Sequence, residues 1–385
     1  MSAFTRAWQE IAPIGRADSG GYLRYALTEP ELTLRDWFRT QAARRDMRVT
    51  DDGNGNLFAW RGEPWAPGTV LTGSHFDSVP HGGGYDGPLG IVSAFLAADR
   101  IDASRQIGIA AFVEEEGGRF GVPCLGSRLL TGAIAPQQAA ALTDRDGISF
   151  AEALGSVPAG ADLAKIGNVA AFVELHVEQG RALDVPVGVA SAIWPHGRWR
   201  MDFAGVGDHA GTTRMSDRRD PMLTFAFTVL AANKEARLSG AHATMGRVQV
   251  EPNATNAIPS LVRGWLDARA ADTGTLDRLV DAVVRKATER ADRDGTSLTV
   301  TPESVTAEVA FDEALGRQLS KVLGNAPILP TGAGHDAGVL SAHVPTAMLF
   351  VRNPTGVSHS PAEHATDEDC EAGIEALATV LAELT

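Results

Sequence analysis

Four short apolar runs, at residues 69–71, 107–113, 169–175 and 347–351, read as buried strands. Each is dense in small or branched apolar residues, and each stops abruptly at polar or glycine positions. The first runs into Thr72-Gly73-Ser74-His75-Phe76-Asp77-Ser78, then Gly82-Gly83-Gly84-Tyr85-Asp86-Gly87. The second meets Glu114-Glu115-Glu116-Gly117-Gly118, and the third delivers His176 and Glu178, followed by Gln179-Gly180. The fourth leads through Arg352-Asn353 to Gly356-Val357-Ser358-His359-Ser360-Pro361-Ala362-Glu363. Helical spacing marks residues 30–46, through Leu34, Trp37 and Phe38, as well as 88–96, 311–323 and 367–384. Residues 49–60 read as a hairpin about Asp52-Gly53-Asn54-Gly55.

From about residue 187 the pattern changes. Strands at 187–193, 198–204, 244–250 and 261–268 alternate with helices at 220–235 and 275–292, and a strand at 297–301 leads out. Two helices on one face of a four-stranded antiparallel sheet make a small α+β domain set into a larger α/β one. The division is then 1–186 with 306–385 for the larger domain and 187–305 for the insertion. The insertion's sheet edge and helices are available for pairing with a second subunit.

The polar segments give this layout its chemistry. Open α/β sheets hold ligands at the carboxyl ends of their strands. Imidazole with carboxylate suits zinc, and carboxylate also accepts manganese. Taken singly, the His75 segment reads equally well as a polar loop with a capping aspartate. Glu114 to Glu116 could likewise be an acidic surface turn, or a set of like charges needing a cation. Repetition is stronger evidence than any single motif: four strand ends each supply histidine or acid, which chance loops have no reason to do.

A net charge of −14 opposes nucleic acid or an anionic membrane as the main partner. Hydrophobic content of 44% and charged content of 21% are those of a globular protein. The two cysteines, Cys124 and Cys370, exclude a disulfide framework. With no signal-type apolar core over Met1 to Gly15 and no bilayer-length apolar stretch, a cytoplasmic location is expected.

In order and spacing, these motifs resemble those of the binuclear-metal amidohydrolases acting on N-carbamoyl-L-amino acids, β-ureidopropionate and allantoate. That group belongs to the wider superfamily of zinc aminoacylases and carboxypeptidases. The resemblance runs from Asp52-Gly53-Asn54-Gly55-Asn56-Leu57 to Ser358-His359-Ser360. It implies a metallopeptidase-like catalytic domain with a central mixed sheet, and an inserted lid and dimerisation domain. It also implies two divalent ions, zinc or manganese. His75 and His176 would hold one, Glu116 and His359 the other, and Asp86 would bridge them. Glu115 becomes the general base, and Asp77 holds His75 in its ligating tautomer. His209, in the loop Gly207-Asp208-His209-Ala210-Gly211, and Asn256 would polarise the scissile carbonyl, with His209 reaching into the partner subunit of a homodimer. Arg269 would clamp the substrate carboxylate, helped by the backbone from Gly332 to Gly334, while Gln179 touches the ureido group. Two departures from the common pattern are Arg214 and Arg352-Asn353. The second pair adds polar groups beside the His359 loop, so allantoate, with its two ureido groups, is the expected substrate. An N-carbamoyl-L-amino acid comes next, then an aminoacylase or dipeptidase substrate.

Overall fold

A computed structural model describes all 385 residues. The chain divides into two compact units, Met1–Ile193 with Ala310–Thr385, and Trp194–Val309. In chain order the larger unit opens with β1 (Arg48–Asp51), β2 (Leu57–Arg61), β3 (Thr69–His75), β4 (Ile107–Phe112), β5 (Val169–Val177) and β6 (Val187–Ile193). The smaller unit follows with β7 (His196–Ala204), β8 (Asp208–His209), β9 (His242–Glu251), β10 (Ala257–Ile258), β11 (Leu261–Arg269) and β12 (Ser297–Thr306). The chain then forms β13 (Val309–Ala310), β14 (Ile328–Thr331) and β15 (Thr346–Val351).

The large mixed sheet has nine strands, ordered β1-β2-β4-β3-β5-β15-β6-β13, with β14 beside β6. Its centre is parallel: β3 pairs with β4 and β5, and β5 with β15. Every residue of β3, β4 and β15 is buried, as expected of parallel strands covered on both faces. Helices Glu29–Ala43, Pro88–Ala98 and Asp367–Leu384 supply Phe38, Phe95 and Leu377 to that core. Parallel pairing sends the carboxyl ends of all four central strands the same way. His75 therefore lies in register with Phe112, and His176 with Phe350.

The smaller unit carries a four-stranded antiparallel sheet, ordered β12-β7-β11-β9. Helices Pro221–Ser239 and Thr273–Asp294 contribute Phe225, Leu279 and Val283 to its core with Met201, Phe203 and Leu266. The composition of this sheet corrects the sequence reading. Residues 187–193, assigned to the insertion, form β6 of the large sheet, antiparallel to β15 and parallel to β14. The fourth strand of the small sheet is instead the longer β12. The units therefore meet the chain at 193/194 and 309/310 rather than 186/187 and 305/306. An apolar period of two identifies a strand but not its partners, which depend on topology. No helix is long and apolar enough to cross a membrane.

Candidate active site

The β3 end and the loop after it bring His75, Asp77 and Asp86 together. Gly87, at φ 85°, closes the loop against the ring of His75, where a Cβ would collide with the imidazole. Pro88 then opens the helix. His75 and His176 are both fully buried, their rings 5.9 Å apart, and the Nε2 of each is without a hydrogen-bond partner. Asp86 Oδ1 lies 3.6 Å from His75 Nε2 and 3.1 Å from His176 Nε2. Its other oxygen, Oδ2, lies 3.4 Å from His359 Nε2, which is also 3.4 Å from Glu116 Oε2.

Asp86 thus faces two sets of donors, one oxygen to each: His75 with His176, and Glu116 with His359. Within each set the candidate ligand atoms lie within 4.8 Å of one another. Two buried, unsatisfied imidazole nitrogens around a shared carboxylate fit a pair of divalent cations, and the nitrogen and oxygen donors suit zinc or manganese. His75 Nδ1–H donates to the carbonyl of Asp77 at 3.0 Å, and His176 Nδ1–H to that of Val177 at 2.8 Å. Both rings are thereby fixed in the tautomer that leaves Nε2 for a metal. The role expected of Asp77 is carried by its main-chain oxygen. Its carboxylate is 3.6 Å from His75 Nδ1 and instead accepts the N–H groups of Glu115 and Glu116, both at 3.1 Å.

The three adjacent glutamates avoid one another by pointing apart. Glu114, at φ 54°, turns its buried carboxylate to the N–H groups of Arg119 and Phe120. Glu115 Oε2 lies 3.7 Å from His75 Nε2 and ligates neither set. Burial raises the Glu115 carboxyl well above its ordinary range, against the pull of His75. Burial and the neighbouring Asp86 push Glu116 up to about 7. Asp86 runs the other way: burial would raise it, but the adjacent imidazoles of His176, His359 and His75 hold it well below.

Gln179 reaches the same cluster, donating through Nε2 to Asp86 Oδ2 at 2.7 Å and Ser358 Oγ at 3.1 Å. Gly332 and Gly334 lie between β14 and a short helix, Asp336–Leu340. At that helix, Ala337 N–H donates to Glu174 Oε2 at 3.0 Å. In the smaller unit, His209 and Asn256 line one cavity of about 810 Å³ with Asp208, Glu251 and Pro252. The Nδ1 of His209 accepts from Gly211 N at 3.0 Å, which leaves its Nε2–H to donate elsewhere. Arg269 pairs with Asp267 across 2.9 Å, on the outward face of β11.

Arg352 does not meet its expectation. Its guanidinium forks onto the buried carboxylate of Asp369 at 2.9 and 3.1 Å, fastening the chain after β15 to helix Asp367–Leu384. Asn353 is equally engaged: its Oδ1 accepts from Thr355 and Gly356, and its Nδ2 donates to the carbonyl of Val357. Both are thus held by partners within the fold, although a third of the Arg352 side chain stays exposed.

Several buried groups at the site carried no expectation. Glu174 bonds Ser74 Oγ at 2.8 Å, and the buried Asp336 bonds Ser127. His335 packs on His176 with ring centroids 4.5 Å apart, and its Nε2 has no partner. Glu363 accepts from Tyr85 and Asp86. An acid inside the apolar run 169–175 was the visible signal for Glu174. Glu174, His176 and His335 form a third candidate set, which shares His176 with the first.

Comparisons with known proteins agree with this geometry. The description "Peptidase family M20/M25/M40" matches residues 71–383. The chain is 36% identical to an N-carbamoyl-L-amino acid amidohydrolase of Geobacillus stearothermophilus, over 97% of this chain and 96% of that one. It is 30% identical to the allantoate amidohydrolase of Escherichia coli, over 100% and 99%. A crystal structure of an amidase of the hydantoinase/carbamoylase family from Burkholderia vietnamiensis superposes with a TM-score of 0.87 at 28% identity, covering 99% and 96%. The chain is therefore a hydrolase and belongs to peptidase family M20/M25/M40, among its amidohydrolases of the allantoate and N-carbamoyl-amino-acid kind.

Proposed function

We propose that the protein hydrolyses the ureido group of a small carboxylate, releasing the amine with carbamate, which decays to carbon dioxide and ammonia. The observation that carries this reading is the position of Asp86 between two donor sets with Glu115 beside them. The names of the relatives point the same way. Two zinc or manganese ions, when bound, polarise the carbonyl and acidify a water molecule. His75, His176 and Asp86 would hold one ion, and Asp86, Glu116 and His359 the other.

In this reading Glu115 takes the proton of the attacking water and returns it to the departing amine, a task suited to a carboxylate whose proton affinity burial has raised. Gln179 offers its amide to the ureido group. His209 and Asn256 supply N–H donors to the developing oxyanion, and Arg269 receives the carboxylate. A homodimer, with His209 serving its partner's site, is part of the proposal. It is supported by the exposed edge strand β9 and by Leu223, Leu230 and Leu238, exposed along helix Pro221–Ser239.

Arg352 and Asn353 are engaged within the fold, so neither is a ready second polar anchor of the kind allantoate would use. An N-carbamoyl-L-amino acid, needing one ureido contact and one carboxylate contact, becomes the proposed substrate. Measured kcat/KM for a panel of these and for allantoate tests this. A higher value for allantoate would overturn it.

A further inference from the structure

The second donor set, Asp86, Glu116 and His359, joins residues from three segments far apart in sequence, and one buried carboxylate ties two of them together. Glu363 is 5% exposed. Its Oε1 accepts the main-chain N–H of Tyr85 at 2.9 Å and of Asp86 at 3.0 Å. Its Oε2 accepts the hydroxyl of Ser358 at 3.2 Å, next to His359. Ser358 Oγ also lies 3.3 Å from Asp86 Oδ2. Gly83 packs directly on the carboxylate, leaving no room for a Cβ. Glu363 itself belongs to neither donor set. It therefore acts on the site only through the segments it grips.

We infer that Glu363 is a positioning residue that sets Asp86 against His359 and so governs binding of the second cation. This deepens the proposed function and rests on it. The first set keeps His75 and His176, whose rings are fixed by the carbonyls of Asp77 and Val177. The second set, besides Glu116, depends on Asp86 and on His359, whose side chain is 49% exposed and whose loop Glu363 secures through Ser358. Loss of the carboxylate should therefore weaken the two binding steps unequally. Groups that orient metal ligands typically contribute about 10- to 100-fold in affinity.

Calorimetric titration of metal-free protein with Mn²⁺ reads both steps without substrate. Wild type should bind two equivalents; binding of only one would count against the proposed function, separately from this inference. In Glu363→Ala the second step should weaken about 10- to 100-fold while the first holds. Glu363→Gln, which keeps an acceptor for the two N–H groups, should recover part of the loss. Wild-type affinity at both steps, or an equal fall at both with a lower metal-free Tm, would overturn the assignment. If neither variant folds, Ser358→Ala provides the test: it should weaken the second step selectively, and no change there would overturn the assignment.

Discussion

Glu115 and Asp86 lie in the same cluster, yet substitution should separate them. Glu115 stands beside His75 without joining either donor set, so Glu115→Gln should keep both metal equivalents and lose turnover by roughly 10²- to 10⁴-fold. Asp86→Ala removes the carboxylate shared by both sets and should lose metal and activity together. Metal analysis beside rate measurement checks both, and a Glu115→Gln enzyme with ordinary kcat would remove Glu115 as the base. At this scale the sequence was informative wherever a functional group ends an apolar strand, as His75, Glu115, Glu116 and His176 do. It was silent on atoms: that Asp77 meets His75 through its carbonyl follows from backbone geometry. It did not show the partner of Arg352, since a guanidinium beside a ligand loop reads the same whether it faces substrate or the buried Asp369.

Among the elements, the parallel run β4-β3-β5-β15 does the main work, because it carries the ends of four separated segments to one edge of the sheet. These strands were legible as apolar runs, and their convergence followed from parallel pairing. The residues of β6 were legible as a strand, but nothing in Val187 to Ile193 distinguishes a partner in the large sheet from one in the small sheet. In the smaller unit, β8 and β10 pair His209 with Ala257, which places His209 and Asn256 on one cavity. If that cavity serves a partner's metal site, inactive His209→Ala and inactive Glu115→Gln subunits should complement each other. Mixed dimers should regain activity, since one of their two sites holds both residues. Isolated mixed dimers with no recovered activity would place His209 in its own subunit's site.

For the whole molecule, the concentration of buried acid makes stability depend on pH and on metal. Burial, with Asp77 beside Glu114 and Glu174 beside Asp336, raises these two carboxyls to about 8. Burial next to Asp86 brings Glu363 to about 7, and the bond to Asp86 raises His359 to about 9. Each raised group holds its proton in the folded state at a pH where the unfolded chain has lost it. Its stabilising contribution is therefore complete below the unfolded pKa and disappears as pH rises through the folded value. Metal-free protein should lose Tm between pH 7 and pH 8.5, and saturating Mn²⁺ should shrink the loss, because cations favour the ionised carboxylates. Equal losses with and without metal would contradict this.

Metal-dependent ureido hydrolysis is read out by ammonia release from an N-carbamoyl-L-amino acid and from allantoate. The assay compares chelator-treated enzyme before and after addition of Mn²⁺ or Zn²⁺. Stripped enzyme should release no ammonia, and about two equivalents of ion per chain should restore full activity. Full activity in verified metal-free enzyme, or no ammonia from either substrate after reloading, would contradict it.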